Sequence, residues 1–159
     1  MKRASVKWIE KMKFVGVTPS CHHVAMDAVP EVGGDNSAPR PADLLLVALG
    51  GCTGMDVVSI LRKMRVEFKS LEILVDGEPR KEHPKYFEKI HVKYILMGKA
   101  LDESKVKKAI DLSEEKYCSV SALLKKGTEL TFDYEIIEDV KRCRFGNSVE
   151  RTKQTPGAR

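Results

Sequence analysis

Apolar and polar positions alternate with period two near both ends of the chain and merge into one long apolar run between them. Val6 and Trp8 alternate with Lys7 and Ile9, and Val24, Met26 and Ala28 alternate with Ala25 and Asp27. That pattern predicts two or three short antiparallel strands before residue 29, with a turn at Thr18, Pro19 and Ser20. A Gly/Pro-rich loop from Pro30 to Arg40 then leads into a helix expected from Pro41 to Arg65. Two longer strands follow, from Val66 to Asp76 and from Phe87 to Met97, joined through the hairpin loop GEPRKEHP. Asp102 is placed to cap a helix carrying Val106, Ile110 and Leu112 and ending near Tyr117. A second short helix, Ser119 to Lys126, stops at Gly127, and Leu130, Phe132, Tyr134 and Ile136 alternate along a strand from Glu129 to Glu138. Strands, helix, strands, two helices, strand is an α+β order. It lacks the alternating βα units of a dinucleotide-binding fold.

The helix from Pro41 organises the rest. Pro41 suits a first helical turn, Asp43 lies near the positive end of the helix dipole, and Lys63 and Arg65 lie near the negative end. Leu44, Leu45, Leu46, Val47, Leu49, Val57, Val58, Ile60 and Leu61 are too many for a single stripe, so protein is expected to cover most of its circumference. Yet Gly50, Gly51 and Gly54 interrupt it, each costing roughly 1 kcal/mol against alanine in a helix interior. Such glycines ordinarily admit another backbone or a ligand, and these three flank Cys52.

A length of 159 residues fits one domain with a real core. The formal charge of +5 is not spread over it: from Lys141 on, six basic residues face a single acid, Glu150, in a stretch with little apolar content. Residues 1–139 are therefore expected to form the domain, and 140–159 a solvated basic tail. With one aromatic in the tail and no basic excess before it, no nucleic-acid partner is expected. No leader pattern is evident, and the run Leu44 to Leu49 is too short to span a bilayer, so a cytoplasmic protein without a membrane role is expected. The four cysteines, Cys21, Cys52, Cys118 and Cys143, are widely spaced and form no CxxC pair, unlike a disulfide framework or a zinc ribbon.

Two of those cysteines are candidates for chemistry. The glycines give Cys52 access, which a reactive thiol needs; against this, a free cysteine often only packs. Cys118, at a helix-helix junction, could resolve a sulfenic acid formed on the first thiol, or could equally be a core residue. Cys21, His22 and His23 are consecutive and would face opposite sides of a strand, so no metal site is expected there. A carboxylate beside a nucleophilic thiol opposes its ionisation, so Asp56, four residues after Cys52, is expected to face elsewhere.

The stretches LLLVALGGCTGMDVVSIL around Cys52 and KYCSVSALL around Cys118, together with the charge-rich hairpin and the element order, resemble the OsmC/Ohr family of osmotically inducible and organic hydroperoxide resistance proteins, and in particular an OsmC-like branch bearing GGCTG. The resemblance covers roughly Val6 to Ile137. It implies an OsmC-like fold in which antiparallel sheets wrap a central apolar helix within an intertwined homodimer, with no metal or bound cofactor. It also implies a thiol peroxidase for organic hydroperoxides, in which Cys52 attacks the O–O bond and Cys118 closes a disulfide. A dithiol reductant, a lipoylated protein in the peroxidase branch, would then reopen that bond. Where that branch has a glutamate ten residues before the cysteine, this chain has Ala42, with Asp43 beside it. Arg40 is the candidate for the branch's hairpin arginine. The rival reading is a noncatalytic member that binds a small ligand or senses redox state through Cys52.

Overall fold

A computed structural model describes residues 1–139, so the expected basic tail lies outside the described residues. The chain divides into two compact units, Met1–Leu45 and a second beginning at Leu46.

The first unit holds three strands, β1 (Ser5–Glu10), β2 (Lys13–Val17) and β3 (His23–Met26), in one antiparallel sheet of that order. Trp8 pairs with Phe14, and the indole Nε1 donates to the Lys11 carbonyl at 2.8 Å across the tight turn. In β1 the apolar positions find no buried face: Val6, Trp8 and Ile9 are all exposed. After β3, Asp27 is buried and collects the following loop around its carboxylate. It accepts from the Ala28, Asp35 and Ser37 amides and from the Ser37 hydroxyl at 2.8 to 3.2 Å. Those donors hold its carboxyl far below the usual aspartate range, the Ser37 amide contributing most.

The long helix α1 (Pro41–Lys63) begins in the first unit and continues into the second. Its end explains why the next strand starts later than the hydrophobic pattern suggests. Arg65 takes a left-handed φ of 56°, its amide donating to the Arg62 carbonyl and the Val66 amide to Leu61, both at 3.0 Å. That is a Schellman closure, which binds Val66 to the helix end. Strand β4 therefore runs Ser70–Pro79.

β4 pairs antiparallel with β5 (Phe87–Gly98), but β6 (Glu129–Glu138) lies parallel to β5 on its other edge. The expectation of purely antiparallel sheets is corrected on this point. The two helices between β5 and β6, α2 (Glu103–Leu112) and α3 (Ser119–Leu124), supply the long crossover that a parallel pair needs, which a hairpin cannot. Central in its sheet, β5 buries Ile90, Val92, Tyr94 and Leu96 on one face, at 0–1% exposure.

α1 buries Leu49, Thr53, Val57, Ile60 and Leu61, a single stripe, while Val47 and Met55 are 67% and 75% exposed. The expected all-round cover is thus absent from the single chain. An 18-residue window of α1 has a mean hydropathy of 2.0, so the helix is also long and apolar enough to cross a membrane, contrary to the expectation from Leu44 to Leu49 alone; its Leu49, Val57, Ile60 and Leu61 side chains pack in the hydrophobic core with β5. The glycines divide their work. A Cβ at Gly54 would lie 2.8 Å from Ile73 Cδ1 and one at Gly50 3.2 Å from Val75 Cγ2, so both admit β4 side chains, whereas Gly51 meets nothing within 4 Å.

Candidate dithiol site

The second unit assembles the site from α1 and the α2–α3 junction. Asp102 caps α2, its Oδ1 accepting from the Ser104 and Lys105 amides at 3.0 and 3.3 Å. The α-helix ends at Leu112, five residues short of the expected end, because residues Ser113–Tyr117 widen into a π turn. The Cys118 amide closes that turn on the Ser113 carbonyl at 2.8 Å. Cys118 then caps α3, its Sγ accepting from the Ser121 amide at 3.3 Å.

This brings Cys118 to α1. The Sγ atoms of Cys52 and Cys118 and a carboxylate oxygen of Asp56 all lie within 4.8 Å of one another. Cys118 is only 2% exposed, and burial pushes its thiol up to about 11, with the neighbouring Cys52 adding to the shift and the Ser121 amide opposing it. Cys52 is half-buried and so the more accessible of the two. Asp56, expected to face away, instead faces both thiols, since i and i+4 share a helix face.

A buried hydroxyl chain explains how Asp56 is held there. Ser113 Oγ donates to Asp56 Oδ2 at 3.2 Å and lies 2.8 Å from Thr53 Oγ1, which in turn meets the Tyr94 hydroxyl. The Thr53 carbonyl is a second acceptor for Ser113 Oγ, at 3.5 Å; with the serine proton on the closer Asp56 carboxylate, one proton per hydroxyl gives the order Tyr94 to Thr53 to Ser113 to Asp56. Burial raises the Tyr94 phenol well above its usual range and keeps it a donor. Composition gave no sign of this chain; only the four-residue spacing of Cys52 and Asp56 was visible beforehand. An open cleft of about 310 Å³ borders the cluster, lined by Asp56, Ile60, Lys63, Met64, Leu112 and Tyr117 among others. Of the cluster, Asp56 lines this cleft and neither cysteine does. A larger one, about 590 Å³, lies over Gly77, Ile90, His91 and Thr131.

Arg40 and Asp43 are brought together with each other in the first unit. The guanidinium Nε and a terminal nitrogen reach the two carboxylate oxygens at 2.9 and 3.0 Å, and Asp43 also accepts from the Arg40 amide at 3.4 Å. Asp43 therefore closes the start of α1 in the manner of a capping box, and the Arg40 hydrogen bonds hold its carboxyl below the usual range. Cys21 is exposed at a left-handed φ of 63°, and His22 Nδ1 bonds to Ser20 Oγ at 3.0 Å.

Glu114, in the π turn, carries a consequence for stability. Its Oε1 is buried without a partner, and burial pushes its carboxyl from 4.5 up to about 8, with the Lys125 charge opposing. Between those values the folded chain holds a proton that the unfolded chain has released, so rising pH favours unfolding. Glu114→Gln has no proton to lose there. Thermal midpoints should fall with pH across that window in the wild type and stay level in the variant; parallel curves would contradict the assignment.

Comparison with known proteins follows the same outline. The family model described as OsmC-like protein matches residues 34–133. Protein YhfA of Escherichia coli K12 is 39% identical over 135 residues, covering 85% of this chain and 98% of that one. A crystal structure of an Aquifex aeolicus VF5 protein superposes with a TM-score of 0.77 at 34% identity, over 88% of this chain and 98% of the other. The organic hydroperoxide resistance protein OhrB of Bacillus subtilis shares the fold at 14% identity, with a TM-score of 0.58 over 85% and 98% of the two chains.

Proposed function

Since this chain belongs to the OsmC-like protein family, we propose that it is a cysteine-based peroxidase for organic hydroperoxides, with Cys52 as nucleophile and Cys118 as resolving thiol. The observation that carries the reading is the meeting of two free thiols from distant parts of the sequence, one accessible and one buried.

Cys52, as thiolate, attacks one oxygen of ROOH. The O–O bond breaks, the other oxygen leaves with a proton as ROH, and Cys52 becomes a sulfenic acid. Cys118 then attacks the Cys52 sulfur, forming the disulfide and releasing water. A dithiol reductant, of which a lipoylated protein is an example, takes up the oxidation as its own disulfide and returns both thiols. Disulfide formation needs the sulfurs at about 2.05 Å, and the non-α-helical joint at Ser113–Cys118 is where the chain can yield. The roles are assigned by access: a peroxide can reach the half-buried Cys52 more readily than Cys118. Asp56 links the thiols to a cleft walled in part by Ile60, Met64 and Leu112, and that apolar wall supports an alkyl hydroperoxide over bare hydrogen peroxide as substrate.

The working unit is a homodimer in a reducing compartment such as the cytoplasm. Support comes from apolar surface that the single chain leaves open: Val47, Gly51 and Met55 recur every four residues along α1, and β1 exposes apolar side chains on both faces.

One equivalent of cumene hydroperoxide added to the reduced, metal-free protein should yield a Cys52–Cys118 cross-linked peptide pair lighter by two hydrogens, with cumyl alcohol as product. Retention of an added ligand with no peroxide consumed would favour the binding-protein alternative and overturn the peroxidase.

A further inference from the structure

The carboxylate beside the two thiols is the unexplained part of the site. For thiolate chemistry alone it is a handicap, because one negative charge works against another placed next to it. For holding a cation it is an asset. Two sulfurs and a carboxylate oxygen match the donor set of zinc, and three protein ligands leave the fourth tetrahedral position open.

We propose that the reduced protein binds one thiophilic divalent cation, of the Zn²⁺ type, through Cys52 Sγ, Cys118 Sγ and a carboxylate oxygen of Asp56. A tetrahedral ion with ordinary Zn–S bonds holds its sulfurs about 3.8 Å apart. Donor atoms already within 4.8 Å of one another need to close by about 1 Å, a side-chain adjustment. Asp56 is also oriented as metal-ligating carboxylates are: Ser113 Oγ donates to its Oδ2 at 3.2 Å, with Thr53 and Tyr94 fixing that serine in turn, and Oδ1 is not used by that bond. All these residues lie in one compact unit. Binding replaces the thiol protons, so each Zn²⁺ taken up releases protons to solvent. No metal is expected from the cysteine spacing, the consecutive Cys21, His22 and His23 or the family resemblance; the donors that meet come instead from α1 and the α2–α3 junction. The site rests on ligand geometry alone. Its consequence, that a bound ion withholds both thiols from oxidants, rests on the peroxidase reading.

The test uses the full-length reduced protein carrying Cys21→Ser and Cys143→Ser, which removes the other thiols, and ZnCl₂ competed against a chromogenic chelator. The expected result is one Zn²⁺ per chain, protection of Cys52 from alkylation, and an affinity at least about 10-fold lower in Asp56→Asn and Ser113→Ala. Co²⁺ in place of Zn²⁺ should give sulfur-to-metal charge-transfer absorption and the strong visible bands of a tetrahedral site, absent in Cys52→Ser. Circular dichroism of each variant separates loss of a ligand from loss of the fold. No uptake by the reduced protein, or uptake unchanged by Cys52→Ser and Asp56→Asn, overturns the site. These readouts involve no peroxide, so a failure of cumene hydroperoxide to form the disulfide would sink the enzymatic reading and leave this one standing.

Discussion

Replacing Cys52 by serine is expected to lower organic hydroperoxide turnover by at least ~1,000-fold, since a serine hydroxyl lacks both the ionisation and the nucleophilicity of the thiol it replaces. Cys118→Ser should behave differently. Its first turnover survives, because Cys52 remains accessible and can still cleave the O–O bond. Steady-state turnover then stops with Cys52 held as a sulfenic acid, which dimedone would trap. The pair of phenotypes separates nucleophile from resolving thiol in a way that activity loss alone does not. A Cys118→Ser protein without a first-turnover burst, or a Cys52→Ser protein with one, would reverse the assignment. Stopped-flow consumption of cumene hydroperoxide with subunit-mass readout measures both.

Gly34→Ala should be the most destabilising small substitution in the first unit. A Cβ there would fall 2.0 Å from the Ala28 carbonyl oxygen and 2.4 Å from its carbon, so the obstacle is backbone, which cannot rotate aside. Overpacking typically costs about 1–3 kcal/mol, and with a fixed obstacle the cost should reach the top of that range or exceed it. The displaced segment also carries the Asp35 and Ser37 amides that satisfy the buried Asp27 carboxylate, so the clash and the lost hydrogen bonds fall on one loop. Thermal unfolding should begin roughly 10 °C lower. A melting curve matching the wild type would show that the loop has another conformation of nearly equal energy. At Gly54 the equivalent clash is with Ile73 Cδ1, the end of a flexible side chain, and an alanine there should be tolerated far better.

Most of the element order was readable because each segment announces itself locally. The alternation Ile90, Val92, Tyr94, Leu96 is the buried face of β5, and Asp102 caps α2 as its position before Glu103 suggested. Boundaries failed where the deciding interaction was not in the hydrophobic pattern. Val66 looks like the start of a strand but is spent on the Schellman closure at Arg65, and Ser113 looks like one more helical residue but opens the π turn. Strand direction failed for a related reason: alternation reports which face is buried, never which way a neighbour runs, and so β6 could not be recognised as parallel to β5.

What the chain's own order of residues determined was the α+β class, the apolar helix with its glycines, and two cysteines in positions open to chemistry, because these follow from short-range periodicity and residue type. What only the tertiary structure decided was that Cys118 reaches Cys52, and that Asp56 faces both thiols at the end of a hydrogen-bond chain from Tyr94 through Thr53 and Ser113. Those contacts join residues tens of positions apart. They exist because burial on a shared core selects one packing of α1 against β5 and the α2–α3 junction, and no local pattern encodes the outcome of that selection.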